Sequence, residues 1–281
     1  MRTWPRSARW SIYVLVAILF AIACAILSSW QFARGELRDA SNALITNNYD
    51  ADPVPLSELM SGTDDFDPGD EWHPVVVTGE YLADDQLLAR NRPEGGTSAY
   101  EVIVPLQLDD GRILAIDRGW VPPAYEGGAE AVPAPPTGEV TVTARLRASE
   151  ALPTSGRTAP EGQLPMIHVP SVAAQTGEQT ITPVYAIMSS EEPAPDERPN
   201  PLAAPEVDPG PHLSYAVQWI LFAIMGFAFI GYMIRTEMVP ARGDDEDPDD
   251  LDEDRPRPQR RPRRKRRDRD AEEEDAILDR L

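Results

Sequence analysis

One cysteine, one lysine and three histidines in 281 residues exclude several kinds of chemistry. With Cys24 alone there is no intrachain disulfide and no thiolate metal cluster. Two of the histidines, His73 and His168, stand apart in sequence and match no HExxH or paired-ligand spacing. The chain also lacks a GxSxG elbow, a P-loop and a dinucleotide fingerprint. Paired acids at Asp84-Asp85 and Asp109-Asp110 sit where strands end, and acids so placed are ordinarily solvated turn residues. No catalytic set emerges, and the expectation is a protein that is not an enzyme. A formal net charge of −21, about −20 of it between residues 34 and 211, repels nucleic acid, so no nucleic-acid partner is expected.

What the chain does have is two long apolar runs. From Leu213 to Ile234 no side chain is charged, and a helix of that length rises roughly 33 Å, enough to cross a hydrocarbon core. Residues 10–33 form the second run, entered from Arg2, Arg6 and Arg9 and left through Trp30-Gln31-Phe32-Ala33-Arg34. It is longer than a signal-peptide core and no clear cleavage site follows, so it reads as a retained anchor. The short leader leaves no room for an organelle transit peptide, which makes a bacterial plasma membrane the expected location. The use of 25 arginines against one lysine points to a GC-rich genome. Basic residues before the first run, and Arg235 and Arg242 after the second, place both termini in the cytoplasm and the central domain outside. Ala17, Ala21, Cys24, Ser28 and Gln31 make a small, weakly polar stripe, and Ala216, Ala223 and Gly226 make another, so the two helices are expected to pack closely.

Between the runs the pattern changes to period two. Strands are expected at residues 75–81, 101–106, 112–117, 140–146 and 183–188, with a hairpin turn at Asp109-Asp110-Gly111 and a short helix over residues 169–176. Residues 124–137 and 191–211, rich in proline, alanine and acids, read as linkers. The expected fold class is thus a membrane protein with two transmembrane helices flanking an exported, mainly antiparallel β domain (α+β). Its divisions are a cytoplasmic N-terminus over 1–9, spans over 10–33 and 212–234, the exported domain over 34–211, and a disordered charged tail over 235–281. Arginines 260–267 in that tail can touch lipid head groups, or be neutralised by the acidic blocks on either side.

Two constellations carry chemistry. His212, Tyr215 and Trp219 fall at i, i+3 and i+7 at the mouth of the second span, where they suit either an interfacial belt or a cofactor site. Arg118-Gly119-Trp120-Val121-Pro122 follows a strand. There the glycine permits close backbone approach, and Arg118 and Trp120 either face an anionic or aromatic partner or simply end the strand, Trp120 packed and Arg118 solvated.

In order along the chain, Trp30-Gln31-x-x-Arg34, Gly79-x-Tyr81, Pro105-Leu106 with Asp110-Gly111, Asp117-Arg118-Gly119-Trp120-Val121-Pro122 and His212-x-x-Tyr215-x-x-Gln218-Trp219 resemble the surfeit-locus-one family of cytochrome c oxidase assembly proteins over about residues 10–235. Ser29 stands where that family often has glycine, and Arg38 replaces a frequent lysine. The resemblance implies an assembly factor that assists haem a binding and insertion into the catalytic subunit of cytochrome c oxidase. Its partners would be that subunit, the haem a synthesis machinery and membrane lipid. Carried over by position, the haem-iron ligand is His212, with Tyr215 and Trp219 as neighbours on its helix. Arg34, at the same membrane level, is placed to pair with a propionate; that role follows from placement and not from the family. A permanent accessory subunit of a respiratory oxidase remains the alternative, since two small-residue spans and an acidic outer domain suit it equally. A haem-modifying enzyme would require catalytic residues that the sequence does not display.

Overall fold

The structure, a computed structural model, describes residues 5–94, 96–125 and 127–238. The expected tail from residue 239 onward and the leader arginine Arg2 lie outside the described residues. Two compact units divide the chain, Met1–Ile230 and Gly231–Leu281, and the architecture below belongs to the first, apart from the last residues of the second apolar helix.

Helix α1, Arg6–Asn48, continues well past the apolar run, so residues 34–48 extend the helix in a segment where sequence patterning gave no element. The extension is rich in polar residues and carries no proline, so only its hydropathy changes at Arg34. Helix α4, His212–Met238, is the second apolar helix. By length and composition both are able to cross a membrane. Their outward faces expose large apolar side chains, among them Leu15, Leu19, Ile26, Leu221 and Phe229. Along the shared seam the expected small residues are buried: Ala17, Cys24 and Ser28 from α1 and Ala216 from α4. Ser28 Oγ donates to the Ala216 carbonyl at 3.1 Å, and a Cβ added at Gly226 would lie 3.1 Å from the Phe20 ring. Small residues therefore set how closely the helices approach.

The middle of the chain supplies β1 (Val54–Pro55), a one-turn helix α2 (Leu56–Leu59), β2 (Pro74–Tyr81), β3 (Leu87–Glu94), β4 (Thr97–Leu108), β5 (Ile113–Val121), β6 (Glu139–Ala148), β7 (Gln163–Leu164), helix α3 (Val169–Thr176) and β8 (Val184–Glu192). The strands form one mixed sheet in the order β1-β2-β6-β8-β5-β4-β3-β7. Its long pairings are antiparallel, while β1 on β2, β3 on β7 and β5 on β8 are parallel. Because β2 also pairs with β4, the strands β2, β6, β8, β5 and β4 close into a ring. Closure brings Gly79 against β4 so tightly that a Cβ there would lie 2.1 Å from the Gln107 carbonyl oxygen, and only glycine permits this approach.

Alternation along the strands sorts side chains to the two sides of the ring. Val75, Val77, Val102, Val104, Leu106, Leu114, Ile116, Val142, Leu146 and Val184 belong to the main core, which α2 helps to cover through Leu56. A second apolar cluster joins Val169 and Val172 of α3 to Leu87, Ala89, Ile103, Ala115 and Tyr185. The end of α1 is fastened to the sheet by a ladder of arginines on aromatic rings. Arg145 lies 3.9 Å above Tyr49, Arg147 lies 3.9 Å above Trp72, and Asn48 donates to the carbonyls of Gly69 and Glu71. The expected strands and the short helix are all present. Strand β3 was not expected, and β8 extends through Glu192 into the segment read as linker.

Candidate functional site

Where α4 begins, it and the stretch of α1 just past the apolar run border a cavity of about 390 Å³ lined by Arg34, Leu37, Arg38, Ser41, Gly210 and His212. Gln31, Arg34, Arg38 and Ser41 recur every three or four residues, so one face of α1 presents them all. The helices are close here: a Cβ added at Gly35 would lie 3.6 Å from the Cβ of His212. His212 opens α4, and its Nδ1 lies 3.1 Å from Gln31 Oε1. With that pairing as an N–H donation to the amide oxygen, Nε2 is left as the nitrogen with a lone pair to offer. Arg38 Nε donates to the Asp208 carbonyl at 2.9 Å, and the Asp208 carboxylate accepts from Gly210 N at 2.8 Å, so the approach to α4 is tied back to α1. Arg34 sits 5.8 Å from the Trp30 ring centre, a cation–π arrangement that leaves its charge at the cavity.

The sequence motif around His212 does not act as one face. Trp219, half-buried like His212, meets Phe222 of its own helix edge-on at 5.7 Å between ring centres and does not line the cavity. Tyr215 points to the outside, 46% exposed, and Gln218 is exposed as well; neither lines the cavity. A step of seven residues keeps to one side of an α-helix, whereas a step of three swings around it by about 60°. Leu37, Ser41 and Gly210 were not singled out from sequence, although the spacing from Arg34 carries the signal for Ser41.

The second constellation is an interior one. Arg118, 1% exposed, pairs with Glu191 through Nη2 to Oε1 at 2.6 Å and Nε to Oε2 at 3.2 Å. It also lies 5.3 Å from the Tyr81 ring centre, and the Tyr81 hydroxyl donates to Glu191 Oε2 at 2.9 Å. Burial and the Glu191 carboxylate push the Tyr81 phenol far up, so it stays a donor. Arg118 thus meets both an anionic and an aromatic partner, and both are its own neighbours in the core. The solvated alternative is corrected: the side chain is among the largest fully buried in the molecule. Gly119 has φ of +118°, and a Cβ on it would lie 2.2 Å from the Asn200 carbonyl oxygen, the close backbone approach its sequence implied. Trp120, half-buried, exchanges two backbone hydrogen bonds with Asn200. Glu191 escaped sequence reasoning because its neighbourhood of acids and prolines reads as linker.

On the outer face of the sheet a third polar group gathers. Arg92 contacts Glu101 at 2.6 Å and grips Glu150 with two bonds of 3.0 and 3.1 Å. Burial pushes the Glu101 carboxyl up to about 7 despite Arg92. Fully buried Asp117 is raised well above the usual carboxylate range by burial and then by Glu101; its Oδ1 accepts from Gly119 N, and its Oδ2 has no hydrogen-bond partner among the described residues.

Comparison with known proteins follows the same map. The SURF1 family model matches residues 18–224, from the first apolar helix through the His212 region into α4. A protein of Mycobacterium tuberculosis described as an uncharacterized SURF1-like protein is 35% identical over 235 residues, which is 82% of this chain and 84% of the relative. The cytochrome oxidase assembly protein SHY1 of Saccharomyces cerevisiae is 27% identical over 111 residues, 38% of this chain and 28% of the yeast protein. A SURF1-like protein of Dictyostelium discoideum is 28% identical over 107 residues, 36% of this chain and 40% of that one.

Proposed function

The chain belongs to the SURF1 family, and we propose that it assists assembly of a cytochrome c oxidase by holding haem a, as cargo, at the His212 cavity before insertion into the catalytic subunit. The observation that carries the reading is His212 itself, engaged through Nδ1 by Gln31 and bordering a cavity that two arginines also line. The donor set fits the cargo in kind: an imidazole for iron, guanidiniums for carboxylates, and apolar helix faces for a ring bearing an isoprenoid tail. When bound, the haem supplies redox chemistry only to the oxidase that receives it. Gln31 orients the ligating ring, Arg34 and Arg38 neutralise propionate charge, and the exposed apolar flanks of α1 and α4 keep the cargo at membrane level. One protein ligand to iron favours release, which an assembly factor requires and a permanent subunit does not.

Membrane residence is part of the same proposal. Outward apolar side chains along both helices are exposed, and burial in lipid removes them from water. The orientation with both termini inside and the sheet outside a bacterial plasma membrane follows from the flanking arginines. Tyr125, fully exposed in a loop, is the position for a cysteine label, in a background where the buried Cys24 is replaced by alanine. Labelling of intact cells is expected; labelling only after permeabilisation reverses the orientation.

His212→Ala tests the haem site. Alanine at the first position of α4 preserves the helix, so protein abundance is expected to hold while the Soret absorbance per protein and oxidase maturation fall. His73→Ala, changing a histidine whose Nδ1 faces the Pro74 carbonyl, is the control. Unchanged haem in His212→Ala removes direct ligation and leaves the accessory-subunit alternative in the lead. Recovery with assembling oxidase at substoichiometric level separates the factor from that subunit.

A further inference from the structure

The sheet carries a second cavity of about 390 Å³ whose lining is cationic within an acidic domain. Arg90, Arg92 and Arg157 reach it, beside the apolar walls of Pro153, Pro165 and Met166. The three arginines differ in what they already hold. Arg92 is committed to Glu101 and Glu150. Arg90 and Arg157 meet no carboxylate among the described residues: the Arg90 Nε is buried without a hydrogen-bond partner, and Arg157 offers Nε to Ser155 Oγ at 3.3 Å. Elsewhere in the sheet domain Arg112, Arg118 and Arg147 each have an acid within ion-pair distance, and the partly buried Arg145 has hydrogen-bond acceptors in Ser189 Oγ and the Tyr49 carbonyl. A buried guanidinium nitrogen without an acceptor costs free energy that a folded chain ordinarily avoids, unless something else supplies the acceptor.

The backbone at this cavity also departs from regularity. Strand β3 is bulged, its register on β4 slipping between Arg90 and Arg92, and Asn91 between them has φ of +59°. Bulges re-aim side chains, and here both flanking arginines line one cavity. We propose that this cavity is a binding site for a small organic carboxylate, whose oxygens are received by Arg90 and Arg157 and whose carbon skeleton lies against Pro153, Pro165 and Met166. The apolar walls are the reason for an organic acid over an inorganic oxyanion. Guanidinium forks match planar carboxylates, and the cavity is of small-ligand size.

The test is calorimetric titration of the full chain in detergent with succinate, and in parallel with inorganic phosphate. Saturable succinate binding is expected, at least tenfold weaker in Arg157→Gln, absent in the Arg90→Gln/Arg157→Gln double variant, and weakened by salt. Arg157 is exposed, so its variant separates binding from folding, and an unchanged thermal midpoint confirms this. His212→Ala is expected to bind succinate like the parent, which keeps this site independent of the haem reading. Absence of saturable succinate binding, or equal binding in Arg157→Gln, overturns the proposal. Phosphate binding tighter than succinate overturns the choice of an organic acid.

Discussion

Arg34 and Arg118 belong to the same set of recurring motif residues, yet they lead opposite lives. Arg118 is closed inside the β ring with Glu191 and Tyr81 around it, while Arg34 lines an open cavity between two helices. A guanidinium fully removed from water is tolerable only when paired and hydrogen-bonded, so its partners are part of the architecture. The proposed haem site uses the other case, a guanidinium left with its charge at a cavity. The motif residues therefore divide by location: Tyr81, Arg118 and Gly119 belong to the ring, whereas Arg34 and His212 border the cavity of the proposed haem site. Experiments that separate stability from haem content test this division directly.

The largest effect is expected from Arg118→Ala. It leaves the Glu191 carboxylate and the Tyr81 hydroxyl buried without their cationic partner, at a cost of about 3–5 kcal/mol. That is a large share of the roughly 5–15 kcal/mol that holds a domain folded. Denaturant unfolding should show the loss, while haem bound per folded molecule stays as in the parent. A variant with parental stability and no haem would place the sheet motif in the site and collapse the comparison.

Glu101→Gln sharpens the same contrast through pH. The folded protein holds this carboxyl at about 7, against an ordinary value of 4.5. Between those values the folded state binds more protons than the unfolded one, so its stability is full below about pH 4.5 and is lost as pH rises through 7. Asp117, raised by the same burial, contributes with the same sign. Glutamine keeps the shape without the titration, and Arg92 retains Glu150. The parent is expected to lose on the order of 2 kcal/mol between pH 4.5 and 8 through Glu101. Thermal midpoints across that range should fall less steeply in the variant; equal slopes would show that the carboxyl does not titrate in this window.

How much of this was legible in the sequence follows physical lines. Runs such as Val75-Val76-Val77 and Ile113-Leu114-Ala115-Ile116 announced their strands because β-branched and apolar side chains alternate between two faces. Strand β3 stayed hidden, since Arg90-Asn91-Arg92-Pro93 reads as a loop and its pairing depends on a bulge that only the neighbouring strand reveals. The end of α1 was missed because hydropathy stops at Arg34 while helical geometry does not. The helix seam was readable from its small residues, and the close approach at Gly119 from the residue type. Neither the Gln31–His212 contact, between residues 181 apart in the chain, nor the Arg118–Glu191 pair has a local signature. Motif membership marked most of these residues as important but not which of them face a cavity.

Gln31→Leu is a smaller test on the site side. The change removes the only hydrogen-bond partner of the His212 ring among the described residues while preserving an apolar helix surface. Losing the partner that orients a ligating histidine typically weakens metal binding 10–100-fold. Haem affinity is expected to fall about tenfold with unfolding behaviour unchanged, and the iron spectrum should broaden as the imidazole loses its fixed orientation. A stable variant with parental affinity and spectrum would deny Gln31 its positioning role.

The smallest effect belongs to Ser28→Ala, three residues before Gln31 and on the same seam. Ser28 Oγ donates to the Ala216 carbonyl across the helix pair, and both residues are buried. Interhelical hydrogen bonds of this kind are worth about 0.6 kcal/mol on average, because a separated helix finds other partners for the same hydroxyl. The Ala216 carbonyl also retains its place in the α4 ladder, so the change leaves no group stranded, and the alanine methyl fits where the hydroxyl was. Helix association should weaken by that small amount, while haem content remains within error of the parent. A tenfold haem loss from this one hydroxyl would mean that the cavity reads the register of the helices to a fraction of an ångström, and seam and site would then have to be treated as a single device.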